Sequence, residues 1–412
     1  MKRLRLIIFG ALFIASCAPG GGVVETSPGQ AAQPSSPIPT AGQPALPSFT
    51  PTTVPSLTPT PSPTETPRPV TTAIPGLLPF AGEEGFAFSL LRKIGLSDES
   101  LGVFFLGMED TTLRPITGPG LTLRGVSPDG QSILVEQGKE LSVIRVMGGD
   151  QVLLTDQYLS QADHGAYWVA GVDRIVYIAS AEDGNAIHVA SPDGSQELRL
   201  TPPDINPVDL YPSDDQRRIY WAAGTCYLSG DCVVNRVGWS LLDGSQHLTL
   251  PEGIRDPAGS PNGDYLAYVR IDSQGRDGFY ISRVDGSEAR EVAVYGDPFV
   301  GYAWYPEGDK LALAAAQRWD YTGQIVDHRY YFVYPTDLRA VNLSYLDEPS
   351  SMLSWSPDGR YLLLLGTEEL GQGFRATIRM VDFEVGAVRR WDEVPELTSD
   401  EYIYIPCVAW VK

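Results

Sequence analysis

The residues able to do chemistry are mostly carboxylates. Asp-Gly steps recur at Asp129-Gly130, Asp193-Gly194, Asp243-Gly244, Asp285-Gly286 and Asp358-Gly359, with Asn262-Gly263 as a variant. Paired carboxylates about 5–10 Å apart with separated pKa values would suit glycosidic chemistry. The context of these steps points elsewhere. In Ser356-Pro357-Asp358-Gly359, Pro fixes φ at the second turn position, Asp accepts from nearby N–H groups, and Gly takes the position of positive φ. Ser127-Pro128-Asp129-Gly130 and Ser260-Pro261-Asn262-Gly263 repeat it, and Pro306-Glu307-Gly308 is a looser copy. These aspartates are therefore turn residues. Carboxylates left for catalysis at the mouth of a central channel are Asp320 and Asp163.

Other chemistries find little support. His164, His188, His247 and His328 are scattered, without the spacing of a metal site, so no metal and no cofactor is expected. Asp183, Gly184 and Asn185 lack the remainder of a calcium loop. Among the cysteines, Cys226 and Cys232 flank a short loop and are expected to form a disulfide in an oxidising compartment, leaving Cys407 as a buried free thiol. Trp319, Asp320, Tyr321 and Tyr227 form the candidate binding patch, aromatic and acidic, suited to a sugar, a peptide or a partner protein.

The elements that must position these residues are short apolar runs rich in Tyr, Val, Ile and Leu, bounded by Gly, Pro and Asp. That pattern predicts an all-β domain over 76–412. Aligning on Trp355 places equivalent points at Val126, Trp168, Leu210, Gly259, Trp304 and Trp410, 42 to 55 residues apart. This is the period of four-stranded propeller blades. Ser191-Pro192-Asp193-Gly194 is out of phase with that series and matches Asp243-Gly244-Ser245 and Asp285-Gly286-Ser287 instead, so it is a turn between the third and fourth strands of a blade.

Trp410 ends a strand with nothing after it, whereas GFAFSLLRKI, LGVFFLG and TTLRPIT supply three strands with no first strand before them. Joining the two ends gives a β-propeller of seven blades closed by a one-plus-three clasp, which removes exposed sheet edges. Six blades is the alternative. Within each blade, strands A to D run outward in order. The A–B and C–D turns share one face; the longer B–C connections, at 224–232, 317–327 and 367–373, share the other with the D–A connections. Function concentrates in variable loops on a rigid scaffold.

The N-terminus supplies an address. Lys2, Arg3 and Arg5 precede an apolar stretch, Leu6 to Ala15, too short to span a membrane and typical of an export signal. Ile14-Ala15-Ser16-Cys17 resembles the lipobox of bacterial lipoproteins. That resemblance implies removal of residues 1–16, a diacylglyceryl group on Cys17 and a protein held on the outer face of a membrane, extracytoplasmic but membrane-bound. Residues 17–75 form the tether: 15 of the 34 prolines lie between 18 and 75, with Thr, Ser, Gly and Ala and only three charges. Such a segment is expected to stay disordered, with a reach on the order of 180 Å when extended.

The phrase W-S-P-D-G-x-x-L resembles the repeats of TolB-like and WD40-like propellers and of prolyl oligopeptidase-type propeller domains. TolB is described with six blades and an α/β domain where this chain has a tether. The peptidases imply a hydrolase domain, for which no G-x-S-x-G elbow is present. A net charge of −21 disfavours nucleic acid. The expectation is a monomeric, tethered, non-catalytic binding module for a protein, peptide or polysaccharide. The alternative is a carbohydrate-active enzyme using channel-mouth carboxylates.

Overall fold

The structure, a computed structural model, describes residues 83–411 apart from 95–96, 111, 147–148, 160–163, 170–171, 203, 214, 227–231, 272–276, 295–298, 320–324, 347–351, 371–372, 392–397 and 400–402. Among these residues there is no helix, and the strands form seven antiparallel sheets. Blades 1 to 6 span 122–155, 166–199, 207–249, 254–291, 299–342 and 352–390, each with strands A to D in sequential order. From blade 7 through blade 1 to blade 6, successive A strands lie against one another, so they are innermost. Seven apolar clusters fill the seven gaps between neighbouring blades, including the gap between blades 7 and 1.

Blade 7 joins the chain ends. Its inner strand is Val408–Val411, paired antiparallel with Gly85–Ile94, which pairs in turn with Ser97–Gly107 and then Arg114–Pro115. The register sets Trp410 opposite Phe86 and Ala409 opposite Ala87. The seven-bladed one-plus-three clasp thus forms, and the six-bladed alternative does not.

The A–B turns explain the recurring phrase. In blade 6 the Gly359 N–H donates to the Ser356 carbonyl at 2.8 Å, with Gly359 at a φ of 72°. The Ser356 hydroxyl donates to Asp358 Oδ1 at 2.6 Å and accepts from the Tyr361 N–H at 2.8 Å. Asp358 Oδ1 also accepts from the Arg360 N–H. Ser127/Asp129 and Ser260/Asn262 make the same circuit. The out-of-phase copy at Ser191 lies between strands C and D; there the following hydroxyl, Ser195, donates to Asp193, as Ser245 does to Asp243 and Ser287 to Asp285. These hydroxyl bonds hold the carboxyls of Asp129, Asp193, Asp243 and Asp285 below the usual aspartate range.

Two details differ from the sequence reading. In blade 3 the residue equivalent to Trp355 is Pro212 rather than Leu210. Pro212 pairs with Ile219 as Trp355 pairs with Leu362, and Asp215 accepts from the Arg217 and Arg218 N–H groups. Gln216, at a φ of 57°, stands where the other turns use Gly. The B–C connections are also shorter than expected, because the strands run on. Tyr361–Leu370 and Gly373–Asp382 pair to the last residue, so 367–370 is strand. In blade 3 strand B reaches Cys226 and strand C starts at Cys232, and in blade 5 strand B reaches Trp319. Blades 3, 5, 6 and 7 therefore carry long B–C arms on one face.

Deleting Val408–Val411 is expected to remove the single cooperative unfolding transition seen by differential scanning calorimetry, because the inner edge of blade 7 then stands open. Asp358→Ala should cost on the order of 1–2 kcal/mol in urea denaturation, the scale of two or three lost local hydrogen bonds.

Candidate channel-mouth site

Strand A is interrupted by a register shift in blades 1, 3, 4 and 5. The shift falls at Arg124 in blade 1 and spans Asp256 in blade 4, while in blade 3 it falls at Val208, directly before Asp209. Bulges commonly re-aim side chains near sites. Strand A starts on the face of the D–A connections, so these residues lie toward that face, as does His164 in the connection ahead of Ala166–Val169.

Arg124 is neutralised by Glu136 through two hydrogen bonds of 3.0 Å. Asp209 is held differently. Its Oδ1 accepts from the His164 N–H at 2.9 Å and its own neighbour Leu210 N–H at 3.1 Å, and its Oδ2 lies 3.4 Å from His164 Nδ1. The ring of Tyr211 stands 5.9 Å from that of His164. Arg255 is paired with Asp277.

Asp256 is the exception. It is 7% exposed, the more deeply buried of the two strand A aspartates. Its backbone is left-handed, φ 51°, a region that few side chains tolerate and that Asp tolerates best with Asn. The carbonyl of the same residue is fixed by the hydroxyl of buried Tyr302. Burial pushes the Asp256 carboxyl up to about 6; Arg255 and His164 oppose that rise, and Asp209 and Asp277 add to it. Burial and the nearby carboxylates likewise push Tyr211 and Tyr302 well above the ordinary tyrosine value, so both stay neutral donors.

The residues singled out from sequence fall at several places. Trp319 ends strand B of blade 5, its backbone opposite Ile325. Asp320, Tyr321, Tyr227, Asp163 and Cys17 lie outside the described residues. Cys226 and Cys232 are cross-strand partners in blade 3. Cys407 is buried as expected but is disulfide-bonded, not a free thiol, and its partner sulfur lies outside the described side chains. Nearness in sequence cannot reveal which sulfurs meet in space. His188 pairs with Glu197 at 2.8 Å and stacks on Tyr177, an ordinary strand role. Trp168, Trp304 and Trp355 are buried at one blade position, as expected. Sequence reading missed Asp209, Asp256 and His164 as a group. The only hint was an Asp two or three residues into an apolar strand.

Comparison with known families finds no match. Among curated proteins, the Tol-Pal system protein TolB of Alcanivorax borkumensis is 35% identical over 66 residues, which is 16% of this chain and 15% of that protein's length. Among solved structures, an oligogalacturonate lyase in complex with manganese superposes at a TM-score of 0.50 with 14% identity, covering 64% of this chain and 74% of that one. TolB from Acinetobacter baumannii gives 0.45 at 11% identity, covering 79% and 66%. The chain is a seven-bladed propeller with TolB-like repeats. The likeness to the lyase is one of fold, and a fold so widely reused does not carry activity with it. The TolB match spans well under a fifth of that protein.

A buried carboxyl whose folded value is raised stabilises the protein only while protonated. Relative to an unfolded aspartate, the native state of Asp256 binds its proton more tightly, so stability falls as pH rises from about 4 through about 6 and stays lower above that. Asp256→Asn keeps the left-handed backbone and removes the charge. Urea denaturation should show the variant close to the parent at pH 4 and more stable, by on the order of 3 kcal/mol, at pH 8. Peptide mapping without reduction should recover Cys407 cross-linked. The identity of its partner decides between a thioether at Cys17 and a Cys226–Cys232 bridge, since the four cysteines cannot satisfy both and the Cys407 disulfide.

Proposed function

We propose that this chain is an extracytoplasmic, membrane-tethered, non-catalytic binding module for a protein, peptide or polysaccharide, engaged through the face that carries the B–C arms and the D–A connections. The carrying observation is the difference between the two faces. On the A–B and C–D face, turn carboxylates are occupied by hydroxyls and N–H groups of their own turns. The arms of the other face present exposed apolar side chains on several blades, Ile94 of blade 7, Val233 and Val234 of blade 3 and Ile271 of blade 4, whereas the first face carries Val172 and Val385 singly, each within a tight turn. Exposed apolar groups around a polar centre suit a partner surface. Trp319, Asp320, Tyr321 and Tyr227 fall in the sequence at the end of strand B or between strands B and C of blades 5 and 3 and are proposed to complete the patch. The basic, apolar and lipobox-like start of the sequence supports export and an anchor through Cys17, and two acyl chains make such an anchor stable.

A second reading, a carbohydrate-active enzyme, rests on Asp256, whose carboxyl near 6 has the value of a general acid. The full-length chain in detergent, immobilised and exposed to envelope and cell-wall extracts, separates the readings. One protein or glycan should be enriched by the native chain and lost by a Val233→Asp/Val234→Asp variant and by a Trp319→Ala/Asp320→Ala/Tyr321→Ala variant. Equal recovery by all three removes the face from the proposal, and shortened glycans transfer the weight to the enzyme.

A further inference from the structure

Two neighbouring features of the chain are left aside by the binding reading. One is a groove of about 620 Å³ on the turn face, between blades 6 and 7. Its floor includes Met108, Tyr361 and Met380, and Met108 and Tyr361 are only partly buried although both pack against the core of that seam. Tyr361 stacks on Trp410 at 6.3 Å, so the floor belongs to the seam that the clasp completes. On the rim Val385 is 66% exposed, more than any other large apolar residue among those described, and Val388 is 38% exposed. The rim arginines are already paired, Arg360 with Asp382 and Glu384, and Arg389 with Glu109. The groove therefore offers apolar surface rather than an ionic site.

The other feature is the stretch of sequence that ends at this groove. Glu83 and Glu84, where the described chain begins, are part of its wall. They are fixed there: the Glu84 carbonyl accepts from the Met108 N–H at 3.1 Å, and Glu83 pairs with Arg114. Just before them, residues 74–80 read IPGLLPF, which places Ile74, Leu77, Leu78 and Phe80 within seven positions. Residues 18–73 hold only four Ile, Leu or Phe residues in all, and no charge falls between 69 and 82. Such a cluster gains by leaving water, and a solvated tether has no use for it.

We propose that residues 74–80 lie in the groove as a strap, covering Met108, Val385 and Val388 and joining the tether to the turn face of the propeller. Three residues span at most about 11 Å, so Phe80 stays close to Glu83 on the groove wall. That closeness gives the segment an effective concentration on the order of millimolar, which a free ligand or a second copy must exceed. Pro75 and Pro79 favour an extended backbone, the form that runs along a groove. The strap also fixes where the tether departs. Gly85 pairs with Val411 at the end of the innermost strand, on the side of the A–B turns, so the chain leaves the ring opposite the B–C arms. The arms then point away from the attachment, whatever they bind.

Peroxide oxidation of the full-length chain in detergent, followed residue by residue with mass spectrometry, reads the cover directly. Met108 should oxidise at least fivefold faster in a Leu77→Ser/Leu78→Ser/Phe80→Ser variant than in the parent, with the melting transition still single. A benzophenone amino acid in place of Phe80 reports the contact without removing the other apolar side chains. On irradiation it should cross-link within one chain, to peptides covering 104–115 or 380–390. Equal Met108 oxidation in parent and variant, or cross-linking to any other blade, overturns the proposal. Cross-links between two chains would assign the groove to a second copy, and Met108 protection that appears only on adding envelope extract would assign it to an outside ligand; either result also ends the strap. Capture by the arms is read separately with the Val233→Asp/Val234→Asp variant, so the binding module stands or falls on its own measurement.

Discussion

Everything in this molecule depends on the antiparallel pairing of Val408–Val411 with the first described strand, Gly85–Ile94. A ring of sheets in which each blade leans on the next has no other means of ending. Without that pairing, Ala87 and Phe105 would lose Val411 from the cluster they share with Leu123 and Ile133. The inner edge of blade 7 would then present unpaired N–H and C=O groups to water or to another chain. The closure joins residues more than three hundred positions apart, so it forms at a high cost in loop entropy and is offset by the two apolar seams it completes.

Around the ring, one tryptophan position performs two tasks. Trp304 Nε1 donates to the Ala258 carbonyl, Trp355 Nε1 to the Ala303 carbonyl and Trp410 Nε1 to Ser354 Oγ. Each indole fills the gap between blades and also satisfies a polar group on the preceding blade's innermost strand. A large apolar body with one donor at its edge suits a wedge-shaped gap whose narrow end is lined by backbone. The turn motif is similarly self-contained, since Ser, Asp and Gly close their circuit within six residues. A face built of such turns has little polar capacity left for a ligand. The opposite face is built of B and C strands that run past their A and D neighbours and expose apolar side chains, which is what the proposed binding role draws on.

Asp256 breaks the consistency seen elsewhere. Propensity, turn chemistry and packing agree along most of the chain, and departures from that agreement are expected where function demands them. Here a charged side chain, a left-handed backbone and a bulge coincide on an innermost strand. Arg124 and Asp209, at comparable places in blades 1 and 3, are less deeply buried and are bonded to Glu136 and to the His164 N–H.

The sequence alone determined the all-β class, the blade period, the identity of the turns and the closure by opposite chain ends. All of these follow from local patterns: alternating apolar runs, the S-P-D-G phrase, and a last strand lacking successors. Even the out-of-phase Ser191 turn was legible, because phase relative to Trp168 is a property of the chain itself. The sequence pattern points to Leu210 rather than Pro212 because blade 3 has Asp214 and Gln216 where the other turns have Pro and Gly, leaving the turn signal to a buried Asp215. What tertiary structure alone decided was which side chains meet. His164, Asp209 and Asp256 come from three blades, and the disulfide of Cys407 joins it to a sulfur distant in sequence. Local pattern records whether a residue faces in or out. How deeply a charge is buried, and which charges surround it, depends on neighbours contributed by other blades, and these are set only when the ring closes.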